Sequence, residues 1–373
     1  MIEVFEATNK KDLKEFVKFP FSIYNGNKFW VPPIIKQELE TFNKDKNPIF
    51  KDAEARFFLA KKDGKYVGRI AAIINWLEVN NQKQKKMRFG WFDFIDDLEV
   101  SEKLLNKVEE IGKANNLDFI EGPVGFSNLD KVGVITEGFN ETCNMITWYN
   151  YPYYIKHYEK FGMRIEKNYS ESKFPFSNVK TTAFQKAQEL IKRRYGLRSV
   201  IFEKTEQVMP YADAMFDLFN KSYSSLSSFV EITEDQKKYF KEKFVSFVNP
   251  EYIKFVVDAD EELVAFAIVM PSFANALRKA NGKLFPFGFT HILNAKKNSK
   301  DVIFYLIGVA PEFQNKGVTA IIFDEYYKVF TDKGIQTCYR TPELEDNAAI
   351  HLIWKHFDPQ VFRRRKTYRK ELN

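Results

Sequence analysis

The chain's 373 residues are 45% hydrophobic and 16% aromatic, with 38 Phe beside 16 Gly and 14 Pro, which is apolar surface enough for two ordinary cores and excludes disordered, collagen-like and low-complexity classes. Lys and Arg number 57 against 50 Asp and Glu, a net charge of +7 that is too mild to mark a nucleic-acid-binding protein and is compatible with a small anionic ligand. No apolar run approaches a membrane span, no basic leader opens the chain, and two Cys with four scattered His offer neither a disulfide framework nor a zinc site; the expectation is a soluble, cytoplasmic protein with no structural metal and no membrane partner.

From the N-terminus, Ile2-Glu-Val-Phe-Glu-Ala-Thr8 reads as a strand, and Phe58 to Ile73 as strand, polar turn and strand. Both recur 197 residues later, as Ser199 to Thr205 and Phe255 to Ile268, with Val67 falling on Val264. An aromatic strand, Phe89 to Ile95, then runs almost directly into a helical pattern from Ser101 to Asn115, and its counterpart is Ile303 to Val309. Asp96, Asp97 and Glu99 crowd that first helix start with negative charge, which repels a phosphate. Each half continues to a short strand closing in Pro123 or Pro342. Matches in one order at a period too long for a solenoid indicate an internal duplication. The stretch Val124 to Asn150 is extra to the first half. Long polar excursions often carry function, and within this one Asn128, Asp130 and Glu137 are natural contacts for a cationic acceptor.

Between the halves, Thr181 to Tyr195 carries apolar residues at helical spacing and stops before Gly196. It reads as a linker helix rather than a floppy tether, so the halves are expected to share a packed interface and a cleft. In the second half, Val302 to Ala320 (VIFYLIGVAPEFQNKGVTA) takes an apolar strand through Gln314-Asn-Lys-Gly317 into a helix from Ile321 to Phe330. A helix start there exposes unpaired N–H groups and the positive end of the helix dipole, Gly317 lets an anion approach closely, and Lys316 adds charge. This loop, with Val309, Pro311, Gln314 and Gly317, resembles the acyl-CoA loop of the GNAT superfamily of N-acyltransferases, although Thr319 stands where that pattern has Gly or Ala. The first half matches the same superfamily in His157-Tyr-Glu-Lys-Phe-Gly-Met163 and lacks the loop; the second keeps Asn347 but has Trp354 in place of the usual proton-donating Tyr, and indole cannot act as an acid.

The resemblance implies an α/β protein (α+β, mixed sheet) of two tandem GNAT-like domains: residues 1–178 without a CoA loop, a linker helix at 179–196, and residues 197–373 with the loop. It implies an acyl-CoA-dependent, in the first instance acetyl-CoA-dependent, N-acyltransferase acting on a small-molecule or peptide amine. Gly308, Val309, Gln314, Asn315, Lys316, Gly317, Val318, Thr319, Ala320 and Asn347 would hold the cofactor. Such chemistry needs a base for the acceptor ammonium and an acid for the departing thiolate; Tyr305, Glu343 and Tyr158 are the candidates. Two other readings stay open: a catalytically lapsed binding scaffold, and an aminoacyl-tRNA-dependent transferase. The terminal cations Arg363 to Lys366, Arg369 and Lys370 read as a final edge strand kept soluble by alternating charge, and nucleic acid is not expected as a partner.

Overall fold

The computed structural model describes residues 1–179, 181–226, 229–244, 248–354 and 356–372. The first unit runs β1 (Ile2–Glu6), α1 (Lys10–Ile23), α2 (Ile35–Thr41), β2 (Ala53–Lys62), β3 (Lys65–Asn75), α3 (Trp76–Asn80), β4 (Lys86–Phe94), α4 (Leu98–Ala114), β5 (Phe119–Gly122), β6 (Val134–Glu137), α5 (Tyr153–Lys160) and β7 (Arg164–Pro175). The linker helix α6 (Thr181–Tyr195) follows. The second unit runs β8 (Arg198–Val200), α7 (Ala212–Tyr223), α8 (Glu234–Phe244), β9 (Ile253–Val257), β10 (Leu263–Pro271), α9 (Ala274–Ala280), α10 (Gly288–Asn298), β11 (Asp301–Val309), α11 (Thr319–Lys333), β12 (Thr337–Arg340), β13 (Glu343–Leu344), α12 (Ala348–Trp354) and β14 (Gln360–Glu371).

Local chemistry accounts for many of these boundaries. Asp63 and Gly64, both at positive φ, make the tight turn between β2 and β3. Asn9 caps α1 by accepting the N–H groups of Lys11 and Asp12, and Gly334 ends α11 in the left-handed conformation. β4 is buried along its whole length, because α4 covers one face through Val100, Leu104 and Val108 and α1 covers the other through Phe16 and Val17. In the second unit α11 supplies Ile321, Ile322 and Tyr326 to one core, while α7 supplies Phe216 and Phe219 to the opposite one.

The strands form one continuous sheet in the order β1-β2-β3-β4-β5-β14-β7-β12-β11-β10-β9-β8, with β6 paired to β14 and β13 to β7. This order is symmetric about the contact of β14 with β7. β4 with β5 and β11 with β12 are the parallel pairs; the others run antiparallel. Each unit's last strand therefore lies beside the other unit: β14 pairs β5 through Tyr368↔Gly122, and β7 pairs β12 through Thr337↔Pro175. A division at residues 178 and 197 separates the units along the chain but not in space.

This exchange corrects the reading of the basic C-terminal segment as a solvated edge. Arg363 and Arg365 have no exposed side-chain surface, and both bind Glu171 of β7, Arg363 at 3.3 Å. The intervening Arg364 points outward and pairs with Glu137 and Glu345. The alternation is that of a central strand with one ionic, buried face. Removing the single carboxylate would strand two buried guanidiniums. Glu171→Ala is therefore expected to lose about 3–5 kcal/mol in urea denaturation, with Glu171→Gln less affected because it keeps an acceptor; a loss within experimental error would show that the pair carries no weight.

Candidate active site

β11 carries one extra residue against β10: Leu306 opposes Ile268 and Phe304 opposes Val269, leaving Tyr305 as a bulge. On its other side β11 pairs β12 only from Asp301 to Phe304. Beyond that point the two strands diverge, and a cavity of about 810 Å³ opens between Tyr305–Val309 and Thr341–Leu344. That volume lies toward the upper end for small-molecule sites. The linker helix walls the cavity with Phe184, Ala187 and Ile191, residues three and four apart on one face. The first unit contributes Asn128 and Asp130 from its extra loop and Lys86, Arg88 and Glu121 from β4 and β5.

The turn before α11 lines the cavity. Asn315 and Gly317 both have positive φ, and the N–H groups of Asn315, Gly317 and Val318 donate to no protein acceptor among the described residues. A side chain at Gly317 would meet Ile191 Cδ1 at 2.9 Å, so the linker helix is seated directly on the turn. Lys316 lies over the rings of Tyr195 and Phe313, 5.2 and 5.1 Å from their centroids.

The equivalent place in the first unit is closed. β4 pairs β5 only over Lys86 to Arg88, and the space beyond is filled by Trp91, which packs on Trp148 and Phe126 at 5.5 and 5.7 Å between centroids. A side chain at Gly90 would lie 2.3 Å from the carbonyl of Val124. At the start of α4, Asp97 accepts the N–H of Glu99 at 3.0 Å and pairs with Lys62. Asp96 binds His157 Nε2 at 3.0 Å. The Asp97 carboxylate thus takes up the helix terminus that the second unit leaves open.

The first unit's share of the lining is polar. Lys86 lies 2.8 Å from Glu78 and 3.1 Å from Glu121, Arg88 is 2.6 Å from Glu78, and Lys167 is 2.8 Å from Glu121. Burial alone would raise the Glu121 carboxyl, but Lys86 and Lys167 outweigh it and hold it down at about 2. Asp130 behaves in the opposite way: burial raises its carboxyl despite the Ser127 N–H at 2.9 Å and the nearby Arg88. Burial also pushes the Tyr305 phenol well up, so it stays protonated near neutrality; its hydroxyl lies 3.4 Å from the carbonyl of Leu129, the residue beside Asp130.

No family model matches the chain. It is 25% identical over 373 residues to Protein YghO of Escherichia coli strain K12, covering 98% of this chain and 94% of that protein. It is 24% identical over 385 residues to a bacterial ceramide synthase of Caulobacter vibrioides, covering 100% and 98%. Among solved structures, a tandem GNAT protein from the clavulanic acid biosynthesis pathway superimposes with a TM-score of 0.59 at 10% identity, over 100% of this chain and 99% of that one. The chain has the tandem GNAT fold.

Within that fold, Tyr305, Gly308, Val309, Gln314, Asn315, Gly317, Val318, Thr319, Ala320, Glu343 and Asn347 all line the one cavity. Asn128 and Asp130 line it from the first unit, with the Asn128 side chain also accepting the N–H of Val230 at 3.1 Å. Three expectations need correction. Tyr158 is buried in the first unit's core, stacked on Tyr368 at 4.7 Å, and does not reach the cavity. Glu137 is exposed and paired with Arg364 at 3.3 Å. Lys316 rests on aromatic rings rather than facing the cavity. Glu343 reaches the cavity, but its carboxylate accepts from Trp354 Nε1 at 3.1 Å and Arg340 Nε at 3.2 Å, which makes it a brace.

The Glu121 cluster and the linker-helix wall were not foreseen. The helical spacing of Phe184, Ala187 and Ile191 was visible in the sequence, but the surface they meet was not. Because Glu121 falls from an ordinary value of 4.5 to about 2 on folding, its contribution is complete above pH 4.5 and is lost as pH drops toward 2. That contribution is about 3 kcal/mol. Urea denaturation across this range should show a flatter acid limb for Glu121→Gln than for wild type; parallel limbs would contradict the assignment.

Proposed function

We propose that the protein is an acyl-CoA-dependent N-acyltransferase whose acceptor is the amine of a long-chain amphiphile. The observation that carries this reading is one cavity lined by the turn at 315–318 with its unpaired amides, by the apolar side chains of Phe184, Ile191 and Phe323, and by Asp130 and Tyr305. The unpaired amides of Asn315, Gly317 and Val318 suit a pyrophosphate, and the cavity of about 810 Å³ suits an acyl chain longer than acetyl. The likeness to a ceramide synthase supports an acceptor of this class, since ceramides are N-acylated long-chain amino alcohols. A bound acyl thioester would supply the acyl group.

Asp130 takes one proton from the acceptor ammonium, and its burial brings it nearer the basicity this task needs. The neutral nitrogen then forms the C–N bond as the C–S bond breaks. Its second proton balances the departing thiolate, with Tyr305 as the protonated group at hand. Backbone N–H groups on the open side of β11 near Gly308 and Val309 polarise the carbonyl. Trp354, with its N–H committed to Glu343, takes no part in proton transfer. Its presence where a phenol is usual favours one competing reading, a lapsed scaffold that binds the thioester without turnover.

Calorimetry with palmitoyl-CoA and acetyl-CoA should give one site per chain, tighter for the longer donor, and Gly317→Glu should abolish it. Two sites per chain, or unchanged affinity in that variant, would overturn the assignment of the turn. With sphinganine as acceptor, Asp130→Asn is expected to lower kcat by about 100-fold or more while leaving palmitoyl-CoA affinity unchanged. Binding without turnover in wild type across long-chain amines would favour the scaffold.

A further inference from the structure

The connection between β10 and β11 differs from its counterpart in the first unit. There, β3 and β4 are joined by residues 76–85 with the short α3, whereas residues 272–300 carry both α9 and α10. The base of this insertion is firmly held. Phe273, Leu277 and Ala280 are buried with Tyr24, Val31 and Ile34 of the first unit, and Ile35 donates its N–H to the carbonyl of Gly282 at 2.9 Å.

Its outer side is of another kind. Phe285 and Phe287 are 77% and 72% exposed, Leu293 is 59% exposed, and Phe289 is 38% exposed. Phe285 and Phe289 touch one another, with 5.6 Å between ring centroids, so the apolar groups form a ridge on a fixed base. Residues 272–300 also contain six Lys or Arg and no Asp or Glu. Lys279, Lys283 and Lys297 are exposed, and none of the ion pairs among the described residues involves them.

We infer that this ridge docks on an anionic phospholipid surface, with Phe285 and Phe287 entering the interface and the surrounding lysines meeting lipid phosphates. Exposed cations on the same short segment as protruding apolar side chains gain from both acyl-chain contact and a negative surface potential. No helix among the described residues is long and apolar enough to cross a membrane, so the attachment is peripheral. It revises the expectation of no membrane partner, which rested on the absence of a span. The inference stands apart from the proposed transfer reaction, and its test reads binding rather than turnover.

The test is flotation of the full chain with vesicles of phosphatidylcholine alone and of phosphatidylcholine mixed with phosphatidylglycerol. Wild type should float with the anionic vesicles and far less with the neutral ones. Phe285→Ser with Phe287→Ser should reduce binding by about tenfold or more without lowering the thermal midpoint, since both rings are exposed. Lys283→Glu with Lys297→Glu should reduce binding to the anionic vesicles selectively. Wild type that floats with neither vesicle, or a double Ser variant that floats as well as wild type, would overturn the inference. So would a wild-type dimer, seen by light scattering and abolished in the Ser variant, in a protein that ignores vesicles; the ridge would then be a contact between copies.

Discussion

Two arginines on the last strand of the chain, Arg363 and Arg365, are buried against one carboxylate, Glu171, on the strand that ends the first unit. An ionic cluster this deep costs desolvation that only close pairing and further hydrogen bonds can offset. Here the extra acceptors include the carbonyls of Gly133 and Gly138. Both belong to the first unit's extra segment, so the same arginines that register β14 against β7 also tether the stretch that follows the Asn128–Asp130 loop. Neither half has its own sheet completed by its own last strand. The cavity walls contributed by the two units are therefore held by continuous backbone pairing rather than by a hinge.

The two units share a strand plan and diverge at the gap between the fourth and fifth strands. In the first, Trp91, Trp148 and Phe126 fill the gap and Asp97 caps the following helix. In the second, β12 leaves β11 after Phe304 and Arg340, and the turn before α11 keeps its amides free. The difference is one of packing volume and charge on an unchanged backbone plan. The first unit, having lost its gap, lends polar side chains to the other's cavity, which Lys86, Arg88, Glu121 and Asp130 line.

The linker helix is part of the site rather than a spacer. Its apolar face supplies a wall, Ile191 rests on Gly317, and Tyr195 receives Lys316. The contact of Tyr305 with Leu129 and that of Asn128 with Val230 make the same junction from the other side.

What the sequence determined by itself was local. The Asp63-Gly64 hairpin, the helical spacing from Thr181 to Tyr195 and the glycine-bearing turn at 314–317 are each written in residues close together, whose conformational preferences act over a few positions. The candidate cavity residues of the second unit were legible for that reason, since they follow one another along a strand, turn and helix. Long-range pairing decided the remainder. Nothing in the run from Arg363 to Lys370 says that it is central rather than an edge, because burial there is created by Glu171, 192 residues away from Arg363. Tyr158 likewise looked available until Tyr368 was stacked on it. Which strand lies beside which is set by the summed pairing of the whole sheet and by the ionic contact at its centre, and only the tertiary structure holds that sum.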